Sequence, residues 1–407
     1  RMEYLIFAGA LVNGFSQTNV YPYLSAMVMQ LGMTDDRNAT GYFAGLLASM
    51  LMLGKMLSSP FWGIQTDRVG RRSVIILSLV SITVCSTLFG LATNFYWALF
   101  IRFVLGLLSP IAIVLKSSAG ELSYEGQTQS MLMLGMGYNT GCVLGSALGG
   151  ILAQPPFLET YPFLLPNLLC SVLAGVTLIG TVWGYEETLS KAAKASNEYP
   201  FTAYLSLLKN RRLNLAFSVS CLNNFIQTAM NELYPLWCWA DESHGGLNLN
   251  PMQIGATLSV AVVIMLIIQQ WLFTKLADVK GISWVCKFSS GCNIPVLVLM
   301  PAVVALGPWN SLGLLMSLLA WNLFNSQTLT GINILCNNTV TMSERGKMNG
   351  LMQTLNAGCK AFAPTIVGSI FAFSLSVEVF PIDFHLAFYF LCVMKMLQFS
   401  LSLYLDK

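Results

Sequence analysis

Long apolar stretches recur along the whole chain, and they restrict it to one broad structural class. Of the 407 residues, 55% are hydrophobic and only 10% are charged. A helix that crosses a bilayer needs about 20 apolar residues, so twelve helices with short connections need roughly 300 to 350 residues. We therefore predict an all-α membrane protein with twelve transmembrane helices, at residues 4–31, 41–62, 73–93, 95–118, 129–153, 162–184, 213–240, 252–274, 283–305, 311–338, 348–373 and 384–405.

Lysine and arginine fall in alternate connections between these spans. One side receives Arg68, Arg71, Arg72, Lys191, Lys194, Lys209, Arg211, Arg212, Lys275, Lys280, Lys287, Arg345 and Lys347. The other side receives Arg37 alone. Because positive residues concentrate in cytoplasmic loops, both termini are predicted to face the cytoplasm, in a plasma membrane or an organellar membrane such as that of the vacuole. Asn38-Ala39-Thr40 is then a glycosylation sequon in the first external loop, and its modification is left open.

The cysteines and histidines are not spaced as in a metal site or a catalytic site. The ten cysteines are scattered singly, without a Cys-x-x-Cys pair. The two histidines, His244 and His385, lie in predicted loops. We therefore expect no metal site, no cofactor, no nucleic-acid partner and no enzymatic activity.

One long polar segment divides the chain. Residues 186–212 are rich in Ser, Lys, Asn and Glu, which predicts an N-terminal six-helix bundle at 1–185, a cytoplasmic linker at 186–212 and a C-terminal six-helix bundle at 213–407.

A short charged stretch, Trp62 to Arg72, separates the second and third spans. Its four charges and two glycines predict a tight connection between two helices. Phe273, Asp278 and Gly281 repeat the spacing of Trp62, Asp67 and Gly70 at the equivalent joint of the second half. Internal repeats of this kind are typical of transporters that have duplicated bundles.

The stretch Gly63-x-x-x-Asp67-Arg68-x-Gly70-Arg71-Arg72 resembles the loop between the second and third helices of major facilitator superfamily transporters. This resemblance implies the major facilitator fold, two pseudo-symmetric six-helix bundles that work by alternating access.

A narrower resemblance, to the zinc-induced facilitator-like family, extends over most of the chain. It is carried by Gly54-Lys55, Ser58-Ser59, Arg102 to Gly106, Lys116, Glu121, Tyr161 to Pro166, Glu187 to Leu189, Asn231 to Trp237, Gly245 to Leu247, Gln270, Asn337-Asn338, Gly346 and Asn349-Gly350. Members of that family resemble proton-coupled exporters of metal chelators, auxin or potassium. The family's Cys-Pro-x-Cys element and histidine-rich central loop are absent here, which weakens the link to zinc.

Four glycines in the fifth span recur every four residues: Gly137, Gly141, Gly145 and Gly149. Small residues at this spacing allow helices in lipid to approach closely. The run from Gly141 to Gly150 also resembles the fifth-helix signature of antiporters in the superfamily, with Ser146 in place of the usual proline. Close packing and an antiporter signature are both retained as interpretations.

Charged residues inside the spans are candidates for function, because each costs several kcal/mol in lipid unless it has a partner or a wet cavity. Five are cations, Lys55, Arg102, Lys116, Lys360 and Lys395, and one is a carboxylate, Glu232. The surplus of positive charge favours an anionic or carboxylate-bearing substrate. A carboxylate in a partly dehydrated cavity can load and release protons, so Glu232 is the predicted proton-coupling residue. The family resemblance implies the same role for Arg102.

The other four cations receive three different interpretations. Lys55 and Lys360 are predicted substrate or gate contacts. Lys116 is predicted either to contact substrate or to extend towards the cytoplasmic surface. Lys395, on the usually peripheral twelfth helix, is predicted to be structural.

Amide side chains concentrate on spans one, seven and ten, which line the central cavity in the fold that the resemblance implies. We expect half of them to contact substrate and the others to form interhelical hydrogen bonds. The predicted substrate-binding amides are Asn13, Gln17, Asn224, Gln227, Asn231 and Asn325.

The charged stretch is predicted to act as a cytoplasmic gate. Asp67 would accept hydrogen bonds from the backbone amides that begin the eleventh predicted span near Lys347. Arg68 or Arg72 would reach Glu121. The gate residues are Gly63, Asp67, Arg68, Gly70, Arg71, Arg72, Glu121 and Asp278.

The function predicted from these observations is a monomeric secondary transporter in the lipid bilayer, which exchanges protons for a small anionic or zwitterionic molecule. The alternative is a transporter-like sensor, or a structural subunit of a membrane assembly, that has lost turnover.

Overall fold

The computed structural model describes residues 2–121, 124–156, 158, 160–187, 210–339, 345–377 and 381–405, and within these ranges the regular structure is entirely helical. The α-helices are α1 (Met2–Thr18), α2 (Leu24–Gln30), α3 (Thr40–Val69), α4 (Arg71–Gly90), α5 (Phe95–Leu108), α6 (Ile111–Glu121), α7 (Tyr124–Ile151), α8 (Leu164–Gly184), α9 (Arg211–Trp239), α10 (Pro251–Lys280), α11 (Ile282–Leu299), α12 (Asn310–Thr339), α13 (Arg345–Val377) and α14 (His385–Ser402).

These helices follow the predicted spans, with two interruptions at prolines. The first span is broken between α1 and α2, where a 3₁₀ turn contains Pro22. The fourth is broken between α5 and α6, where Pro110 follows Ser109. Proline lacks a backbone N–H and disfavours the helical conformation of the residue before it. In the described part of the chain, eight helical stretches are long and apolar enough to cross a membrane.

The charged stretch from Trp62 to Arg72 is more helical than the sequence predicts. α3 continues for 30 residues to Val69, and α4 begins at Arg71, so Gly70 alone makes the connection. Gly70 has φ +104°, which a residue with a Cβ rarely adopts. The predicted tight connection is thus a single residue, because Asp67 and Arg68 belong to the last turn of α3 and Arg71 and Arg72 to the first turn of α4.

The repeat of this joint is visible in the backbone. α10 is also 30 residues long, and Gly281 alone connects it to α11. Gly281 has φ 87° and ψ 157°, close to the φ 104° and ψ 155° of Gly70. The two joints that share a sequence pattern therefore share a turn.

Contacts between residues divide the chain into two compact units. The first unit is Arg1–Asp35, Leu46–Glu198 and Asn250–Ala256, and the second is Asp36–Gly45, Tyr199–Leu249 and Thr257–Lys407. Ten residues around the start of α3 thus group with the second unit, and the first six residues of α10 group with the first. Most of the predicted linker, 188–209, lies outside the described residues.

The glycine stripe of α7 packs directly on the backbone of α1. A Cβ added at Gly137 would lie 2.4 Å from the carbonyl oxygen of Phe7, and one at Gly141 would lie 2.1 Å from that of Leu11. Thr18, near the end of α1, donates a hydrogen bond of 3.1 Å to the carbonyl oxygen of Cys142. The packing of α1 against α7 is the most extensive helix–helix contact in the described part of the first unit, and it accounts for the four-residue spacing of the glycines.

Candidate functional site

Arg102 lies inside the first unit on α5. Its side chain is 3% exposed, and its guanidinium carbon lies 5.4 Å from the ring centroid of Phe89 on α4. It is close enough to Tyr23 and Cys170 to interact electrostatically with both. The predicted charge inside the fourth span is therefore buried within the protein.

Polar side chains from three elements meet beside Arg102. Asn167 on α8 donates to the hydroxyl of Tyr23 over 2.9 Å, and Asn19 donates to the amide oxygen of Asn167 over 3.4 Å. Tyr23 stacks on Phe163 with ring centroids 5.2 Å apart. The sequence analysis assigned no role to Tyr23 or Asn167, although a tyrosine and an asparagine inside apolar spans are the signal that could have found them.

The two predicted amides of α1 bind to each other. Gln17 donates to the side-chain oxygen of Asn13 over 2.8 Å, and Asn13 is 4% exposed. They lie four residues apart, on one face of the helix.

A chain of amides crosses the second unit. Gln227 donates to the side-chain oxygen of Asn231 over 3.0 Å, and Asn325 on α12 donates to the side-chain oxygen of Gln227. Three residues predicted separately as substrate contacts are therefore joined. Asn224 instead donates to the carbonyl oxygen of Ser220 over 2.9 Å, within α9.

Lys395 continues this chain, contrary to its predicted peripheral position. Its side chain is 0% exposed. Nζ donates to the side-chain oxygens of Asn223 (3.2 Å) and Asn325 (3.4 Å), and lies 5.6 Å from the ring centroid of Trp321. The spacing of Lys395 and Gln398, two polar residues one turn apart on the twelfth span, was the signal that could have indicated a buried face.

Glu232 is buried on α9, where it is 2% exposed. Pro235 lies inside the same helix, three residues further on. The remaining predicted substrate cations are half-buried: Lys55 on α3, Lys116 on α6 and Lys360 on α13. The side chain of Glu232 is therefore withdrawn from solvent to a greater degree than these cations.

The predicted gate is described only in part. The side chains of Asp67, Arg68, Glu121 and Lys347 lie outside the described residues, so their proposed contacts stay predictions. Of the remaining gate residues, Gly63 lies within α3 and the side chain of Asp278 is exposed near the end of α10.

Glu187, after α8, holds the start of α4. Its carboxylate accepts hydrogen bonds from the backbone amides of Arg71 (2.9 Å) and Arg72 (3.3 Å), and the guanidinium of Arg72 donates to the carbonyl oxygen of Val182. Trp62, at the other end of the charged stretch, donates to the carbonyl oxygen of Leu107 over 2.7 Å. The sequence analysis included Glu187 in the family resemblance but gave it no role.

Other kinds of site have little support among the described residues. They contain no group of three or more His, Cys, Asp or Glu side chains that could hold a metal ion. An open cavity of about 360 Å³ is lined by Tyr4, Leu5, Ile179, Gly180, Trp183 and Gly184. It has mainly apolar walls and none of the predicted site residues.

The profile of the Major Facilitator Superfamily matches residues 6–364. The chain belongs to the major facilitator superfamily. It is 28% identical over 426 residues to the Protein ZINC INDUCED FACILITATOR 1 of Arabidopsis thaliana, with 95% of this chain and 87% of that protein covered. It is also 28% identical over 401 residues to a "probable peptide/nitrate transporter" of the same plant, covering 91% of this chain and 83% of that one. The predicted resemblance to the zinc-induced facilitator-like family is confirmed.

Solved structures share the fold of this major facilitator. The human organic anion transporter MFSD10 superposes with a TM-score of 0.72 at 18% identity, over 99% of both chains. A D-xylose-proton symporter superposes with a TM-score of 0.78 at 14% identity, over 100% of this chain and 96% of that one. The predicted all-helical major facilitator fold is confirmed, and the chain is a multi-pass membrane protein.

Proposed function

We propose that this protein is a proton-coupled antiporter of a small organic anion or zwitterion, which works by alternating access. One relative is named as a probable transporter of peptides and nitrate, a zwitterionic and an anionic class. The positive charges of Lys55, Lys116 and Lys360, half-buried in the predicted spans, would attract such substrates.

Glu232 carries the proposal. A carboxylate that is 2% exposed inside a transmembrane helix is costly to keep charged, and proton uptake removes that cost. A group that gains and loses a proton as the cavity opens to each side couples transport to the proton gradient. Arg102, equally buried in the first unit, is the second proposed coupling residue.

Purified protein in proteoliposomes tests this function. Labelled organic anions and zwitterions are screened for uptake with and without an imposed pH gradient. For each exchanged proton, one pH unit supports about a tenfold substrate gradient. We expect Glu232→Gln to abolish the uptake driven by the pH gradient.

Glu242→Gln is the matched control, because Glu242 is exposed just after the same helix. It should transport like the wild type. Full driven transport by Glu232→Gln would remove Glu232 from the mechanism. If no small metabolite is transported or raises the melting temperature, the protein is a sensor or structural subunit instead.

A further inference from the structure

Lys395 is the least exposed charged residue in the described part of the second unit. It lies eleven residues into α14, and its side chain has no exposed surface. The two oxygens that hold it, on Asn223 and Asn325, belong to neutral carboxamides on α9 and α12. Such oxygens carry only partial charge, so they compensate an ammonium ion less well than a carboxylate does.

No ion pair with a carboxylate compensates Lys395 among the described residues. The helices that pack around Lys395, and α14 itself, carry the following charged or titratable residues: Arg211, Arg212, Cys221, Glu232, Tyr234, Cys238, Cys286, Lys287, Cys292, Cys336, Arg345, Lys347, Cys359, Lys360, His385, Tyr389 and Cys392. None of these side chains is a hydrogen-bond partner of Nζ among the described residues, where the amine donates to Asn223 and Asn325. Glu232 lies nine residues after Asn223, about 13.5 Å further along α9.

The cluster can accept either protonation state. The side-chain nitrogen of Gln398 donates to Oδ1 of Asn223 over 3.0 Å, the same oxygen that Lys395 binds. This oxygen therefore keeps a donor when the amine loses a proton. The side-chain oxygen of Gln398, Oε1, is buried and accepts no hydrogen bond from any described residue. An ammonium group has three donors and no acceptor, whereas a neutral amine also offers one lone pair.

The amine also has a polar route out of the core. From Lys395 the hydrogen bonds continue through Asn325 and Gln227 to Asn231. Gln227 and Asn231 are half-buried, unlike Lys395 and Asn325. Polar groups in this order can hold water beside the amine when the surrounding helices move.

Size decides which ligand this site can take. A side chain with no exposed surface leaves no room for a metabolite or a hydrated ion at the amine. A proton needs no room. We propose that Lys395 is a proton-binding site of the second unit, which takes up and releases a proton during transport. This inference rests on the proposed proton coupling, and assigns to it a residue separate from Glu232 and Arg102.

A substrate-free measurement tests proton binding directly. Full-length protein with lysine labelled with ¹⁵N at Nζ is placed in lipid nanodiscs, and its nitrogen spectra are recorded between about pH 6 and pH 9. We expect one resonance, missing in Lys395→Met, to move within this range. Asn223→Asp places a carboxylate beside the amine with little change of volume, and should hold that resonance at its protonated position. A Lys395 resonance that stays constant throughout in the wild type overturns the proposal.

Transport supplies the second measurement, with a substrate from the screen. Lys395→Arg, which keeps a permanent charge, and Asn223→Asp should both lose uptake driven by the pH gradient and keep substrate counterflow. Wild-type driven uptake by Lys395→Arg would show that charge alone is needed, and would overturn the proposal. Lys280→Met, at an exposed lysine, is the control and should keep both activities.

The two proposals fail in different ways. If the Lys395 resonance does not shift with pH, the proton site at Lys395 is rejected even if Glu232 couples transport. If the resonance moves but no substrate responds to a pH gradient, proton-coupled antiport is rejected, and with it the transport role of Lys395. If Lys395→Met does not fold, the comparison of wild type with Asn223→Asp still assigns the resonance.

Discussion

The carboxylate of Glu187 accepts a 2.9 Å hydrogen bond from the backbone amide of Arg71, the first residue of α4. The first amides of a helix have no partner within the helix, and a negative charge there is favourable. Gly70 makes this approach possible, since a Cβ at that position would lie 2.4 Å from an oxygen of Glu187. Glu187 therefore caps a transmembrane helix from a segment more than 100 residues away.

Removing this cap should destabilise the protein. We expect Glu187→Ala to lower the free energy of unfolding by about 1 kcal/mol, and Glu187→Gln, which keeps one acceptor, to lower it less. Thermal unfolding of the purified protein measures both. Glu186→Ala is the control, because the exposed neighbouring carboxylate forms no hydrogen bond or ion pair with α4 among the described residues. Equal losses for Glu186→Ala and Glu187→Ala would contradict the assigned cap.

The glycine stripe of α7 predicts opposite effects for two chemically identical substitutions. Gly141→Ala places a methyl group 2.1 Å from the carbonyl oxygen of Leu11, so α1 and α7 must separate. We expect a loss of about 1–3 kcal/mol, as for other overpacked sites. Gly135→Ala, on the same helix with no heavy atom within 4 Å, should be neutral or slightly stabilising. Unfolding in denaturant or by heat compares them, and a harmless Gly141→Ala would reject the close packing.

The Asn38 sequon is predicted to stay unmodified. The side-chain nitrogen of Asn38 lies 3.2 Å from Nδ1 of His244, and Thr40 is 1% exposed with its hydroxyl bound to the carbonyl oxygen of Arg37. A glycan on Asn38 would break the contact with His244. In eukaryotic expression, glycosidase treatment should therefore leave the electrophoretic mobility of the wild type unchanged.

A new sequon nearby controls for the side of the membrane. Asn250→Thr creates a sequon whose acceptor is the exposed Asn248, and the new hydroxyl can replace the Asn250 side chain as the cap that accepts from the amide of Gln253. This variant should shift after glycosidase treatment if the loop is external. Modification of Asn38 in the wild type would contradict the contact with His244 in the folded protein.

Much of the architecture could be read from the sequence because a bilayer penalises most alternatives. The predicted spans correspond to the described helices, and the shared pattern at Gly70 and Gly281 corresponds to a shared turn. The exact ends of the helices were harder to predict. Residues 62–69 continue α3 although they include charged side chains. The backbone hydrogen bonds of a helix do not depend on whether its side chains are charged, so charge alone does not end a helix.

The sequence indicated which residues of the candidate site are polar, but it indicated few of the contacts between them. The amides of spans seven and ten were recognised from their cost in lipid, and the structure joins Gln227, Asn231 and Asn325 in one chain. The predicted environment of Lys395 was wrong. A family resemblance indicates which helix is peripheral, but it does not indicate which face of that helix points towards the protein.

The sequence by itself determined the class of protein, the number of spans and the positions of the two glycine joints. These depend on local properties: apolar length, charge and the backbone freedom of glycine. Only the tertiary structure decided that Glu187 caps α4 and that Lys395 lies among Asn223, Asn325 and Trp321. Such contacts join residues distant in the chain, and they depend on the rotation and depth of each helix against its neighbours, which hydrophobicity along the chain does not specify.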